Sequence, residues 1–181
     1  MARSKKVSIE DFEALDRSDV RLEYLDGEIY YPKPPSVVHQ SIVTKLAVEM
    51  GLYFRGKESQ LLVGPLNVIF QKGEEKHTVQ PDLMILSNKS GFTENSFVGV
   101  PIVAIEVLSA STSAVDHIVK MDLYMRFGVQ EYWIVSPKNH TVQVFTLENG
   151  VYGEPEFFVV NSVFKSKVFS DLELDLVNIF G

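Results

Sequence analysis

Apolar and polar positions along this chain change period several times, and each change marks an element. Ile102, Val103, Ala104, Ile105, Val107 and Leu108 form the near-continuous apolar run of a strand covered on both faces, and Glu106 interrupts it. A lone buried carboxylate has to be neutralised, paired or bound to a cation. Ser109, Ser111, Thr112 and Ser113 then offer N-cap hydroxyls, and Val115, Ile118, Val119, Leu123 and Phe127 recur at helical spacing up to Gly128, a fitting C′ residue. Asp116, Lys120 and Tyr124 fall four residues apart, so the helix presents them on one face. Residues 131 to 136, EYWIVS, are again short, aromatic and β-branched. A strand returning after a crossover helix lies parallel to the first.

The flanking sequence reads in the same way. Ser8 caps a short helix through about Arg17, and residues 21 to 31 form a hairpin turning at Asp26-Gly27. The stiff PKPPS segment leads to Ser36, which caps a helix with Val43, Leu46, Ala47, Met50 and Phe54 as its apolar stripe; His39 and Gln40 lie in its first turn. Residues 61 to 71 read as extended, 73 to 76 as a charged turn, and 79 to 87 as a strand entered through Pro81 and Asp82. Residues 88 to 100 read as a polar loop. Strands over 141 to 147 and near 157 to 160 flank a turn at Asn149-Gly150, and an apolar tail, LELDLVNIF, follows. There is no repeat and no low-complexity linker. The expected architecture is α/β (α+β), a central mixed β-sheet flanked by helices, with 1 to 181 as one domain and 1 to 7 as a flexible tail.

Composition narrows the chemistry. The 181 residues suffice for a core without staples, and the absence of cysteine excludes disulfides, thiolate zinc sites and a cysteine nucleophile. No apolar run approaches a membrane span, and the expectation is a soluble cytoplasmic protein. A net charge of −7 provides no global field for nucleic acid, although an enzyme that reaches phosphates through a metal ion is compatible with it. Arg3, Lys5 and Lys6 give the N-terminus a local basic character.

Three groups carry candidate chemistry: Asp82 at the start of one strand, Glu106 in the next, and Lys120 on the crossover helix. Two carboxylates on adjacent strands can hold a hard divalent cation such as Mg²⁺, which polarises a phosphoryl oxygen and acidifies a bound water. A nearby ammonium orients that water or stabilises charge building at phosphorus. Each residue also has a structural reading. Glu106 and Lys120 can form a strand-helix ion pair, Lys120 can pair with Asp116 instead, and Asp82 can fix a turn. Tyr124 and Trp133 read as core.

Pro81-Asp82, Glu106-Val107-Leu108 and Lys120 on the following helix resemble the PD-(D/E)XK nuclease superfamily. The segments RLEYLDGEIYYPKPPSVVHQSIVTKL, QPDLMIL and PIVAIEVLSASTSAVDHIVKMDLYMRFGVQEYWIVSP are similar, more closely, to the Uma-type family of restriction-endonuclease-like proteins. The resemblance covers nearly the whole chain from about Arg21. It implies a restriction-endonuclease-like fold, Mg²⁺ or Mn²⁺ held by Asp82 and Glu106 with Val107 alongside, and Lys120 as the catalytic lysine. Leu108 stands where the superfamily's strand lysine would be; the lysine has moved to the helix, as in Uma-type sequences. Glu23 and His39 are recurrent positions to which the resemblance assigns no role. The function implied is a DNA endonuclease, with a homodimer suggested by the need to cut two strands. The competing reading is a non-catalytic fold that keeps the site as a salt-bridge network and serves in oligomeric interaction or nucleic-acid binding.

Overall fold

A computed structural model describes residues 6–15, 21–87, 90–109 and 115–181. The N-terminal helix α1 (Ile9–Leu15) starts where the Ser8 hydroxyl accepts the Asp11 N–H at 3.1 Å. Strands β1 (Glu23–Leu25) and β2 (Glu28–Tyr30) form the expected hairpin, with Asp26 at φ 50° and Gly27 at φ 85°. Val7, placed by the sequence in a flexible tail, is tied down: its N–H donates to Gly27 O at 2.9 Å and its carbonyl accepts the Tyr24 hydroxyl at 3.0 Å. Residues 1 to 5 of that tail lie outside the described residues, as does the end of the first helix beyond Leu15.

The long helix α2 (Val37–Phe54) begins at Ser36, whose hydroxyl accepts the His39 N–H at 3.2 Å. It buries Ile42, Val43, Leu46, Met50 and Phe54 at i, i+3/i+4 spacing. The expected extended stretch divides at Gly64-Pro65 into β3 (Gln60–Val63) and β4 (Asn67–Lys72). Two expectations fail here. The charged turn is only Gly73-Glu74, because Gly73 at φ 63° lets the chain reverse in two residues, and β5 (Glu75–Val79) pairs at once with β4. The polar loop contains β7 (Ser96–Val98), which adds in parallel to β4. Between them β6 (Leu83–Leu86) follows Pro81-Asp82.

The central unit is built as its pattern predicts, with one departure. Strands β8 (Val103–Val107) and β9 (Glu131–Ser136) are parallel, joined through a helix that ends at Gly128 in the left-handed region, φ 89°. That helix opens as a π-helical turn over Val115–Lys120 before α3 (Met121–Phe127) continues it. Side-chain spacing does not distinguish π from α over a single turn, and such turns gather at functional sites. The candidate caps Ser111, Thr112 and Ser113 lie outside the described residues. After β9 come β10 (Thr141–Glu148), β11 (Val151–Tyr152), β12 (Glu156–Val159), β13 (Val163–Lys165), β14 (Glu173–Asp175) and α4 (Leu176–Phe180).

The strands form a seven-stranded mixed sheet, β11-β10-β9-β8-β6-β3 with β12 also on β10, a five-stranded sheet, β2-β1-β5-β4-β7, and the pair β13-β14. Strict alternation explains the apolar runs of the central strands. Leu83, Ile85, Val103, Ile105, Val107, Trp133 and Val135 face α2 and the C-terminal elements. Met84, Leu86, Ala104, Tyr132 and Ile134 face α3 and the five-stranded sheet. No helix among the described residues is long and apolar enough to cross a membrane.

Glu131 pins the C-terminal part of the chain to the sheet. It is fully buried; Oε2 accepts Trp133 Nε1 at 2.9 Å and Ser166 Oγ at 2.8 Å, and Oε1 accepts the backbone N–H of Lys167 at 2.6 Å and of Val168 at 3.1 Å. Four donors on one carboxylate satisfy its charge without a cation. Replacing Glu131 by Gln is therefore expected to lower unfolding free energy by about 2–4 kcal/mol, since charge-assisted bonds are lost and an amide N–H₂ meets buried donors. Chemical denaturation measures this, and a loss below about 0.5 kcal/mol would contradict the saturated-carboxylate account.

Candidate active site

The register of β6 on β8 places the two candidate ligands. Leu83 pairs with Ile105 in an antiparallel ladder, so Asp82 continues it opposite Glu106, on the face shared with Met84 and Ala104. Glu106 therefore points away from α2, toward α3 and the five-stranded sheet, and is only 3 % exposed. The helix answers it. Lys120 Nζ lies 3.0 Å from Glu106 Oε1, and the Tyr124 hydroxyl, one turn on, donates to the same oxygen at 2.9 Å. Burial first, and the Glu106 charge next, push the Tyr124 phenol well above its ordinary value of 10.0, so it stays a donor. Tyr124 is thus both core, as its pattern implies, and part of the site.

A third carboxylate completes the arrangement. Glu23 on β1 places Oε1 2.9 Å from Lys120 Nζ, and the same oxygen accepts the Gln80 backbone N–H at 2.7 Å. Glu23 and Lys120 are each 4 % exposed. The hairpin arm reads in sequence as half-exposed, but β1 is buried on both faces because it is hydrogen-bonded between β2 and β5 and packs under α1 and α3. The ammonium therefore sits between acids from two different sheets.

Asp82 is held from other directions. Its Oδ2 accepts the Val107 N–H at 2.9 Å and lies 3.1 Å from His39 Nε2, which the first turn of α2 delivers. Arg21 Nη2 stands 3.9 Å from Asp82 Oδ1, beyond hydrogen-bonding range. Burial works to raise the Asp82 pKa, but the hydrogen bond and charge of His39, the Val107 N–H and the Lys120 charge together hold it below the ordinary 3.8. For His39 burial again opposes charging, and the Asp82 hydrogen bond and charge outweigh it, leaving the imidazole above 6.5.

These side chains line one cavity, rimmed by Pro32, Lys33, Pro34 and Pro35. All the residues expected to carry chemistry meet there: Asp82, Glu106, Val107, Lys120, Glu23 and His39. The alternative Asp116 partner for Lys120 lies outside the described side chains. Leu108 packs partly buried against the core on the α3 side, where a lysine would have to be buried among apolar groups. Arg21 and Gln80 belong to the neighbourhood without having been singled out in the sequence, and Ser109, read there as a candidate cap, lines the cavity too; Arg21 and Gln80 meet across 59 positions of chain.

The donor set suits a hard divalent cation: two carboxylates face each other across paired strands, with Val107 lining the same cavity and no cysteine in the chain. A second group, Asp26, Glu75 and His77, brings its potential ligand atoms within 4.8 Å of one another. Arg126 occupies it, donating to both Asp26 oxygens at 3.0 and 3.1 Å and to Glu75. His77 Nδ1 accepts the Asp26 N–H at 3.2 Å, so Nε2 carries the proton and donates to Glu75 at 2.9 Å. That group is an ion-pair knot closed by a guanidinium.

The mixed sheet, its flanking helices and the strand-helix-strand unit carrying Glu106 and Lys120 define a restriction-endonuclease-like protein. The chain belongs to the Uma2 family, described as "Putative restriction endonuclease", which it matches over residues 9–177. It is also similar to the crystal structure of a putative nuclease belonging to DUF820 from Anabaena variabilis ATCC 29413, with a TM-score of 0.77 and 20% identity over 96% of this chain and 97% of that one. At that identity the likeness establishes the fold. Among curated proteins none matches the sequence.

Two outcomes follow from the electrostatics. Lys120→Met removes the ammonium that Glu23 and Glu106 share and is expected to cost about 3–5 kcal/mol, much of it restored by adding Glu23→Gln. Additive effects in that double-mutant cycle would contradict a shared ammonium. In metal-free protein, an NMR titration of His39 should give a midpoint above 6.5, falling when Asp82 becomes Asn. The raised His39 contributes stability that is complete below 6.5 and lost as pH rises through its folded midpoint. The depressed Asp82 contributes above 3.8 and fades as pH falls through its own, so the pair is worth most between these values.

Proposed function

We propose that this chain is a metal-dependent endonuclease that hydrolyses phosphodiester bonds in DNA. Asp82, Glu106 and the Val107 carbonyl would hold Mg²⁺ or Mn²⁺, and Lys120 would assist the attacking water. The observation that carries this reading is the placement of Lys120 Nζ, 3.0 Å from Glu106 Oε1 and beside the cavity that Asp82 also lines. A divalent cation there supplies Lewis acidity, polarising a phosphoryl oxygen and making hydroxide available near neutral pH.

The chain's own residues account for the rest. Glu23 holds the ammonium from the far side, so Lys120 keeps its direction without being spent on Glu106 alone. Tyr124 fixes one Glu106 oxygen, and His39 with the Val107 N–H fixes one Asp82 oxygen, which holds both carboxylates at the cavity wall. One such site cuts one strand, so cutting both calls for a homodimer, and the proposed setting is the cytoplasm.

A second reading is favoured by one fact: Lys120 already has two carboxylate partners, as a purely structural network would require. The two part at the metal. Incubation of single-stranded, double-stranded and branched DNA with Mg²⁺ or Mn²⁺ should show cutting by the wild type and none by Glu106→Gln or Lys120→Ala. Metal at a hundredfold its Kd should also raise wild-type stability by about 2.7 kcal/mol. Cutting that survives both substitutions would refute the assigned site; intact DNA with a melting temperature indifferent to metal would favour the network.

A further inference from the structure

The cations of the site differ in how far their charge is spent. Lys120 is compensated by two carboxylates at 2.9 and 3.0 Å, and His39 is committed to Asp82 at 3.1 Å. Arg21 lines the same cavity but is held by a neutral group. Its Nε donates to Gln80 Oε1 at 2.7 Å and its Nη2 to the Gln80 carbonyl at 3.1 Å. The anchor is itself fixed, because buried Gln80 donates through Nε2 to Asn67 Oδ1 at 2.6 Å and through its backbone N–H to Glu23 at 2.7 Å. A guanidinium clamped by an amide keeps its direction and its full charge. Among the described residues Nη1 has no hydrogen-bond partner, and the nearest acid, Asp82 Oδ1, is 3.9 Å from Nη2.

The side chain is 30 % exposed, open enough to meet a ligand and anchored enough not to swing. It stands beside Asp82 in a chain whose formal charge is −7, where a polyanionic substrate needs local positive charge. A planar fork with uncommitted N–H groups matches the non-bridging oxygens of a phosphate better than any other group lining this cavity.

We propose that Arg21 is the phosphate-binding residue of this site, receiving a non-bridging oxygen of the substrate's phosphodiester, and that Gln80 is the positioning residue that aims it. This assignment rests on the endonuclease reading for its substrate class. Arg21 neutralises charge on the phosphoryl group from its place beside Asp82, and it acts on every sequence alike because a phosphate carries no base information. Gln80 adds no charge and works only through the direction it gives Arg21.

The test is DNA binding in EDTA, where nothing is cut, followed by anisotropy of a labelled oligodeoxynucleotide over a range of salt, with cleavage kinetics in Mg²⁺ beside it. Arg21→Met is expected to bind about tenfold more weakly on any sequence and to flatten the dependence of log K on log salt by about one unit, with an unchanged melting temperature. Arg21→Lys should recover the salt slope and only part of the affinity. Gln80→Met should lower affinity while keeping the wild-type slope, a result that loss of stability alone would not produce. Wild-type affinity and slope in Arg21→Met would overturn the assignment, as would a wild-type protein that binds no DNA. Binding that depends on Arg21, without any cutting in Mg²⁺ or Mn²⁺, would refute the catalytic reading and leave this contact standing.

Discussion

The buried ammonium of Lys120 is the constraint on which the site depends. Three charged side chains almost removed from water, Glu23, Glu106 and Lys120, are tolerable only because the lysine lies within 3.0 Å of an oxygen of each acid. The acids come from different sheets, so the five-stranded sheet, the seven-stranded sheet and the helix between β8 and β9 must all reach their final positions for the ammonium to meet both. Electrostatics here fixes the relation between layers that apolar packing alone would leave adjustable. The Gln80 N–H and the Tyr124 hydroxyl add a second donor to the oxygen that Lys120 contacts on each carboxylate.

Helical and strand periods made part of this visible in the sequence. Glu106 stands out as a charge within an apolar run, and Lys120 and Tyr124, four residues apart, are readable as one face; both reach the same Glu106 oxygen. Asp82 follows from the register once the strands are paired. What escaped depends on contacts far apart in the chain. Glu23 is marked in the sequence by the family resemblance alone, because the burial of its hairpin arm comes from neighbours that local pattern does not reveal, and Arg21 finds Gln80 only when β1 lies against β5. Strands β5 and β7 escaped because one is entered through a two-residue turn and the other pairs only with a strand already distant in sequence. Glu131 escaped because four donors from two segments, not a cation, satisfy it.

Two acid-rich groups on the same molecule show what proximity of ligand atoms does and does not mean. Asp26, Glu75 and His77 are close enough for an ion, yet a guanidinium fills the space and the imidazole spends both nitrogens on neighbours. Asp82 and Glu106 are fewer, but both lie on a cavity wall. Position beside open space, and not number, separates the two.

Glu131 has a consequence for the order of events as the chain is made. Its hydrogen bonds reach forward 35 to 37 positions, to Ser166, Lys167 and Val168. Until those residues have left the ribosome, strand β9 carries a carboxylate with most of its partners missing, and burying it is unfavourable. A nascent chain halted before Ser166 would thus hold both acids of the nuclease-like unit and its lysine, yet lack the groups that let the middle of its main sheet close. Completion of the site waits on a stretch of chain that contributes nothing to its chemistry.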